Sequence, residues 1–296
     1  MKKILILIIA LSYNSLVAQD FNIDQSFSGI SNIIVEGKFL TVTVNGVAGD
    51  RVSLEGEIEG GSDYQIKYNV NGDKLKVWIE TPNFNWGRGA EGYINLQVPD
   101  AARLNIETSS GKLKVNKISS YNMNFSTSSG TLIANSISGS GSLATTSGKL
   151  KMYDSKGDFT LNSSSGGVLV AGFKGNLVVS SSSGSNYFEA VVGELTAVAS
   201  SGSIKLKEVS AQLDLKTSSG RISGETVRVT KDSKLHTSSG GIKIDLANDV
   251  NNLSYNLSAG SGRVKVGNIG QGKKLVINNG GPNISAVSSS GSQHFY

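Results

Sequence analysis

The side chains of this sequence with the means to do chemistry are two histidines, a scatter of carboxylates, many serines and a recurring set of lysines and arginines. Nucleophilic catalysis needs a serine or cysteine with a base held beside it. His236 sits in the run LHTSSG and His294 lies two residues before Tyr296. Neither belongs to a recognisable Ser-His-Asp pattern, and no serine stands in a G-x-S-x-G elbow between a strand and a helix. Acid–base work on a glycosidic bond, or calcium binding, needs convergent carboxylates. Asp154, Asp158, Asp214, Asp232 and Asp245 are spread over different offsets, and no calcium-binding nonapeptide run is present. The chain has no cysteine, which excludes disulfides, thiolate metal centres and an acylated lipoprotein cysteine. The expectation is a non-enzyme without catalytic, cofactor-binding or metal-binding residues.

The basic residues are more ordered. Lys112, Lys114, Lys149, Lys151, Lys205, Arg221, Lys243, Arg263 and Lys265 all stand one or three places after a glycine that closes a run of small residues. If the segments they head are stacked strands, these side chains form a broken basic stripe. Such a stripe suits an acidic polysaccharide, lipopolysaccharide phosphate or nucleic acid. The simpler reading is a solvated strand face that discourages aggregation. Thr131, Gly167 and Ser185 interrupt the stripe and favour that simpler reading. Trp86 and Arg88, in the glycine-rich NFNWGRG, could stack on a sugar and pair with its acidic group, although such a loop more often packs as a cap. Tyr187 is expected to point outward and Phe188 inward.

The elements that must position these groups come from a repeat. Ten small-residue runs end on Gly111, Gly130, Gly148, Gly166, Gly184, Gly202, Gly220, Gly240, Gly262 and Gly281, at intervals of 19, 18, 18, 18, 18, 18, 20, 22 and 19 residues. An eleventh run closes on Gly291 after only 10 residues and is expected to mark a terminal turn. Two and four places after the glycines come apolar residues such as Leu150 and Met152, with a polar residue between, which is the period of a strand with one buried face. A third apolar position follows seven after the glycine, as at Ile137 or Ile269. A fourth lies five before the next glycine, as at Leu161 or Val276.

One 18-residue unit has no second layer against which to bury these side chains. Stacked units bury them all, with rungs about 4.8 Å apart. The predicted fold is all-β, a single-stranded parallel β-helix (β-solenoid) of ~18-residue coils. The Ser and Thr before each glycine are placed at a corner, and the glycine is expected to take an unfavourable φ there. A sandwich of antiparallel hairpins is the competing fold. A Thr column at 108, 127, 145, 217 and 237 also raises an ice-binding solenoid as a minor alternative, weakened by Ser163, Ser181 and Ala199.

Residues 1–18 read as a signal peptide: Lys2 and Lys3, an apolar run from Ile4 to Leu11, then small residues up to Ala18. No other segment approaches the roughly 20 apolar residues of a spanning helix. Residues 19–107 are expected to be irregular β coils that cap the regular solenoid of 108–296, as one continuous body. The formal charge of +5 falls to +3 without the two leader lysines, too mild to imply a particular partner.

The passages FSGISNIIVEGKFLTVTVNG and VPDAARLNIETSSGKLKV, with the recurring TSSG, resemble the "putative adhesin" family of bacterial β-strand-repeat proteins, which includes the head GIN domain proteins. The resemblance implies an exported β-helical protein of a Gram-negative cell envelope, in the periplasm or at the surface, with adhesion as its role. It supplies no catalytic residues. The partner expected is an acidic polysaccharide or another envelope component, with no nucleic acid. A carbohydrate-active β-helix lyase or hydrolase is the runner-up, distinguished by acids converging in a groove.

Overall fold

The computed structural model describes residues 21–60, 64–81, 90–270 and 272–296, so the leader and the NFNWGRG loop lie outside it. The described chain is all-β and β-solenoid-like, with one 3-10 turn at Val250–Asn252. Each regular coil carries a strand just after its glycine and a second before the next glycine. Leu113–Asn116 with Ser119–Thr127, and Leu132–Asn135 with Ser138–Thr145, are two such coils. In the middle the two strands merge into Leu150–Ser163, Val168–Ser181 and Asn186–Ala199. Successive coils pair in parallel at an 18-residue offset, as in Leu150↔Val168↔Asn186↔Ile204. The post-glycine strands make a first wall and the pre-glycine strands a second. Their apolar faces meet in one core.

That core is the aliphatic pattern of the sequence made solid. Leu132, Leu150, Ile222, Phe125, Leu161 and Leu215 are fully buried. Two expected core positions are not: Ile269 and Val276 are 54% and 74% exposed. The reason is a break in the order of the coils. The run closing on Gly281 heads no regular coil, and Lys274–Ile277 folds back antiparallel on Ser254–Ala259. The run closing on Gly291, expected as a terminal turn, is a full coil corner instead. Asn283–Ser288 pairs with Ser233–Thr237 on one side and Ser254–Ala259 on the other. Gln293–Phe295 likewise pairs with Ile242–Leu246 and with Val264–Val266. The last coil in sequence is therefore the last but one in space.

The other end repeats the device. Asn32–Glu36 lies between Lys74–Glu80 and Arg103–Thr108, and Thr41–Val47 lies between Glu91–Pro99 and Leu113–Asn116. Antiparallel strands then close that end: Gln65–Asn71 on Lys74–Glu80, Arg51–Glu59 on Glu91–Pro99, and Phe21–Ser28 on Arg51–Glu59. A parallel edge would otherwise stand open to other chains.

The repeat glycines work differently from the sequence expectation. Gly130, Gly148, Gly166, Gly184, Gly202, Gly220 and Gly240 are absent from the residues with positive φ. A Cβ on any of them would drive far inside contact distance of a carbonyl oxygen, that of the equivalent glycine one rung below. They are glycine because two backbones touch there. The left-handed turn falls six residues after the glycine, at Lys117, Ser136, Asp154, Gly172, Ala190, Glu208 and Thr226, only one of which is glycine. The Thr and Ser three before the glycine are also not corner residues facing solvent. Thr108, Thr127, Thr145, Ser163, Ser181, Thr217 and Thr237 are buried. Thr145 Oγ1 accepts from the Gly148 amide at 3.0 Å, and Ser163 Oγ donates to the Gly166 carbonyl at 2.6 Å. The inward hydroxyl ties the tight turn to its own coil. A buried column presents no array to ice, which removes that alternative.

Two buried amides interrupt the apolar column. Asn186 and Gln293 occupy inward positions and each donates to a serine hydroxyl of its own coil, Ser181 at 2.8 Å and Ser288 at 3.0 Å. Asn186 Oδ1 and Gln293 Oε1 have no partner.

Opposite outcomes are expected at the two kinds of turn position. Gly148→Ala forces apart two stacked backbones and should lower stability by about 3 kcal/mol or more. Ala190→Gly relieves a left-handed alanine and, after the added chain entropy of glycine, should raise stability by about 1 kcal/mol at most. Urea unfolding of both variants checks this, and a Gly148→Ala protein as stable as the parent would disprove the close approach.

Candidate functional site

The basic residues come together on the outer face of the first wall. Pairing sets one column as Lys114, Ile133, Lys151, Leu169, Tyr187, Lys205, Ser223 and Lys243. Because the last coil is inserted, the column continues to His294 and only then to Lys265. The neighbouring column, fixed by backbone hydrogen bonds between rungs, runs Lys112, Thr131, Lys149, Gly167, Ser185, Ser203, Arg221, Gly241, Ser292 and Arg263. These two columns hold twenty positions, nine of them Lys or Arg, one His and none Asp or Glu. Lys114 and Lys151 are half-buried, and the other seven cations are exposed. None of the nine takes part in the four ion pairs found among the described residues.

Small residues between the cations open a hollow. Ser223 and Gly241 leave room among Lys205, Arg221 and Lys243, and the hydroxyls of Ser203, Ser219 and Ser239 line the same cavity of about 550 Å³. Cations and hydroxyls in one hollow can hold a carboxylate, sulfate or phosphate through charge and hydrogen bonds together.

Aromatic and acidic groups border this face. Lys243 Nζ lies 5.5 Å from the centre of the Tyr296 ring, and the His294 ring packs tilted against Tyr296 with centres 4.9 Å apart. Tyr187, expected outward, is half-buried and donates to Glu189 at 3.4 Å. Glu189 in turn accepts from Lys207 at 2.7 Å. That hydrogen bond holds the Glu189 carboxyl below and the Lys207 ammonium above their ordinary values. Burial and the Glu189 charge raise the Tyr187 phenol.

His294 is the residue that sequence reasoning missed here. The sequence shows it only as a histidine two places before Tyr296 without a Ser or Asp partner pattern, and the insertion of its coil places it between Lys243 and Lys265. Burial first, then the charges of Lys265 and Lys243, push its pKa below the ordinary histidine value. The other histidine, His236, sits on the outer face of the second wall between Lys216 and Val287, so the two are not brought together. The carboxylates stay dispersed. Asp154 occupies a left-handed turn, Asp158 accepts from Asn176 at 2.7 Å, and Asp232 accepts from the Asn283 amide at 2.9 Å. Among the described residues no three His, Asp or Glu side chains lie close enough to share a metal ion. Trp86 and Arg88 lie outside the described residues.

A family model described as Toastrack DUF4097 matches residues 30–293, which span the whole ladder from the first inserted coil to the last. The chain belongs to the Toastrack DUF4097 family. No curated protein matches it. Solved structures similar to this toastrack chain include a "putative lipid binding protein" from Parabacteroides distasonis, at 15% identity and TM-score 0.43 over 93% of this chain and 96% of that one. Another is a "putative adhesin" from Bacteroides fragilis, at 11% identity and TM-score 0.36, covering 93% and 95%. A third is a "putative cell adhesion protein" from Clostridium sporogenes, at 10% identity and TM-score 0.19, covering 93% and 98%. Among the described residues no helix is long and apolar enough to cross a membrane.

The His294 environment yields a measurable titration. Its folded pKa is depressed, so the fold favours the neutral ring. The stability this contributes is present above the ordinary value of about 6.5 and is lost as pH falls through the lowered folded value. An NMR titration should give a His294 midpoint below 6.5, and Lys265→Gln and Lys243→Gln should each move it upward. A midpoint indifferent to both lysines would mean that the inserted coil does not place the ring between them.

Proposed function

We propose that this toastrack protein is an exported, non-enzymatic, adhesin-like module of the cell envelope that binds an acidic glycan along the outer face of its first wall. The fold behind it is read as one elongated parallel β-solenoid of 18-residue coils, with the strands before residue 108 as its cap. The single observation that carries the reading is the pair of columns with nine cations and no carboxylate. A face that served only for solubility would do as well with mixed charges, and elsewhere on this molecule the charges are mixed: Lys67 pairs with Glu80 and Lys231 with Glu194. Two adjacent columns of one charge sign suit a linear polyanion, whose anionic groups can reach the cations on six of the ten rungs. The expected leader supports export to the periplasm or the surface. Dispersed acids support binding without cleavage.

The test is a glycan array run beside a reducing-sugar release assay. The parent protein should retain acidic glycans and release no sugar. Replacing Lys114, Lys151, Lys205, Lys243 and Lys265 together with Gln should weaken retention at least tenfold and flatten its dependence on salt. Unchanged retention would leave the columns as a solubility feature, and released sugar would overturn the non-enzymatic reading.

A further inference from the structure

A second site lies on the other wall, near the opposite end. Lys74–Glu80 alternates strictly, with Leu75, Val77 and Ile79 buried and Lys76 and Trp78 half-buried on the outer face. Register places Glu36 on one side of Trp78 and Lys67 on the other. A tryptophan here is out of keeping with its own column. Beyond Glu36 the same outer position is filled by Glu107, Ser126, Ala144 and Asn162. Among the described residues no neighbouring aromatic explains it, since the rings that pair near this end are Phe27 with Tyr68 and Phe39 with Tyr64.

Trp78 instead forms one side of a cavity of about 290 Å³ whose other lining residues are Glu36, Asn69, Asn71, Lys74 and Lys76. That volume lies at the small end of ligand sites and suits a small ligand. Lys76 Nζ is 2.6 Å from Glu36 Oε1 and 5.9 Å from the Trp78 ring centre, so the Glu36 and Lys76 charges offset each other beside the ring. Lys74 takes no part in any ion pair among the described residues; the neighbouring Asp73 carboxylate, outside the lining, accepts from the Ser31 hydroxyl and feels both Arg103 and Lys74. The lining thus has one surplus positive charge. Two amides, one flat aromatic face and one surplus cation are a complementary set for a single sugar ring bearing a carboxylate. The apolar C–H face of the ring lies on Trp78, its hydroxyls meet Asn69, Asn71 and Glu36, and its carboxylate meets Lys74.

We propose that the outer face of Lys74–Glu80 with Asn69 and Asn71 is a binding site for one uronic-acid-type sugar residue, centred on Trp78. It is separate from the basic columns, which lie on the first wall, so its success or failure does not decide theirs.

The experiment takes as its parent the mature protein with Lys114, Lys151, Lys205, Lys243 and Lys265 already replaced by Gln, so that the first wall does not mask this site, with trigalacturonate as the acidic probe and maltotriose as the neutral one. Calorimetric titration should show trigalacturonate binding that falls about tenfold in Trp78→Ala and several-fold in Lys74→Gln, with maltotriose weaker than trigalacturonate. In a Trp86→Phe background, where Trp78 is the only indole, trigalacturonate should still change the fluorescence. Thermal melts should match the parent for Lys74→Gln, whose side chain is exposed, and stay cooperative with a fall of a few degrees for Trp78→Ala, whose ring is half-buried. Three results would each overturn the site: equal binding of trigalacturonate by the parent and Trp78→Ala, loss of binding in Trp86→Phe with retention in Trp78→Ala, or no binding of trigalacturonate by the parent. Equal affinity for maltotriose would overturn the acidic specificity.

Discussion

The structure depends on a contact between backbones. At every rung of the regular stack a glycine carbonyl lies where the next glycine's Cβ would be. That approach sets how tightly the corner closes, and hence how far apart the two walls stand. The walls must be close enough for Leu, Val, Ile and Phe side chains to fill the space between them at the density of a protein interior. A methyl group in the glycine column would spread the rungs at that corner while the ladder hydrogen bonds elsewhere held their spacing. A second glycine column at Gly139, Gly157, Gly175 and Gly193 makes the same kind of contact, there with φ between 115° and 134°. The chain is therefore pinned along two lines, and the apolar columns need only be apolar and roughly the right size. This is why the column four places after the glycine can run Val115, Ala134, Met152, Val170, Phe188 without losing register.

Most of this was legible in the sequence because a solenoid writes its geometry as a period. The 18-residue interval set the parallel pairing, and the apolar offsets from each glycine identified the buried faces from Leu113 to Ile244. The role of the glycine was not legible. A tight turn and a close approach both call for glycine, and only coordinates show that φ is ordinary at Gly148 and that the space is taken. The Thr and Ser before it were likewise ambiguous, since a small hydroxyl residue suits an exposed bend and a buried cap equally well. The ends escaped for another reason. A period reports which residues repeat and is silent on the order in which coils stack, so Ile269 and Val276 took the phase of a rung that is not there. The lengthened interval of 22 residues before Gly262 and the shortened one of 10 before Gly291 were the traces of that insertion.

The candidate sites divide along the same line. The lysines of the first wall could be read from their offsets, because each lies in a regular coil. His294 could not, because its neighbours are residues 243 and 265, set by an insertion no spacing announces. Trp78 stands in a part of the chain where the repeat is blurred, and its outward direction follows from the burial of Val77 and Ile79. Charge sorts the two candidate sites: two columns of cations and hydroxyls on the first wall, bordered by the Glu189–Lys207 pair, and paired charges around an indole on the second.

The inserted coils also govern the order in which the molecule can be made. As the chain leaves the ribosome, Asn32–Glu36 and Thr41–Val47 emerge before either of the strands that will flank them, and Asn283–Ser288 and Gln293–Phe295 emerge after both of theirs. A growing stack cannot simply add each new coil to the last one laid down. Residues 283–296 must enter a slot whose two sides already exist, joined through the segment that carries the Val250–Asn252 turn. Until they do, the rung of Ile242–Leu246 and the outermost rung have no ladder between them. Completion of this part of the fold thus waits on the emergence of residues 283–295. Once seated, Asn283–Ser288 and Gln293–Phe295 are paired on both edges and are held against the local opening to which a strand paired on one edge is prone.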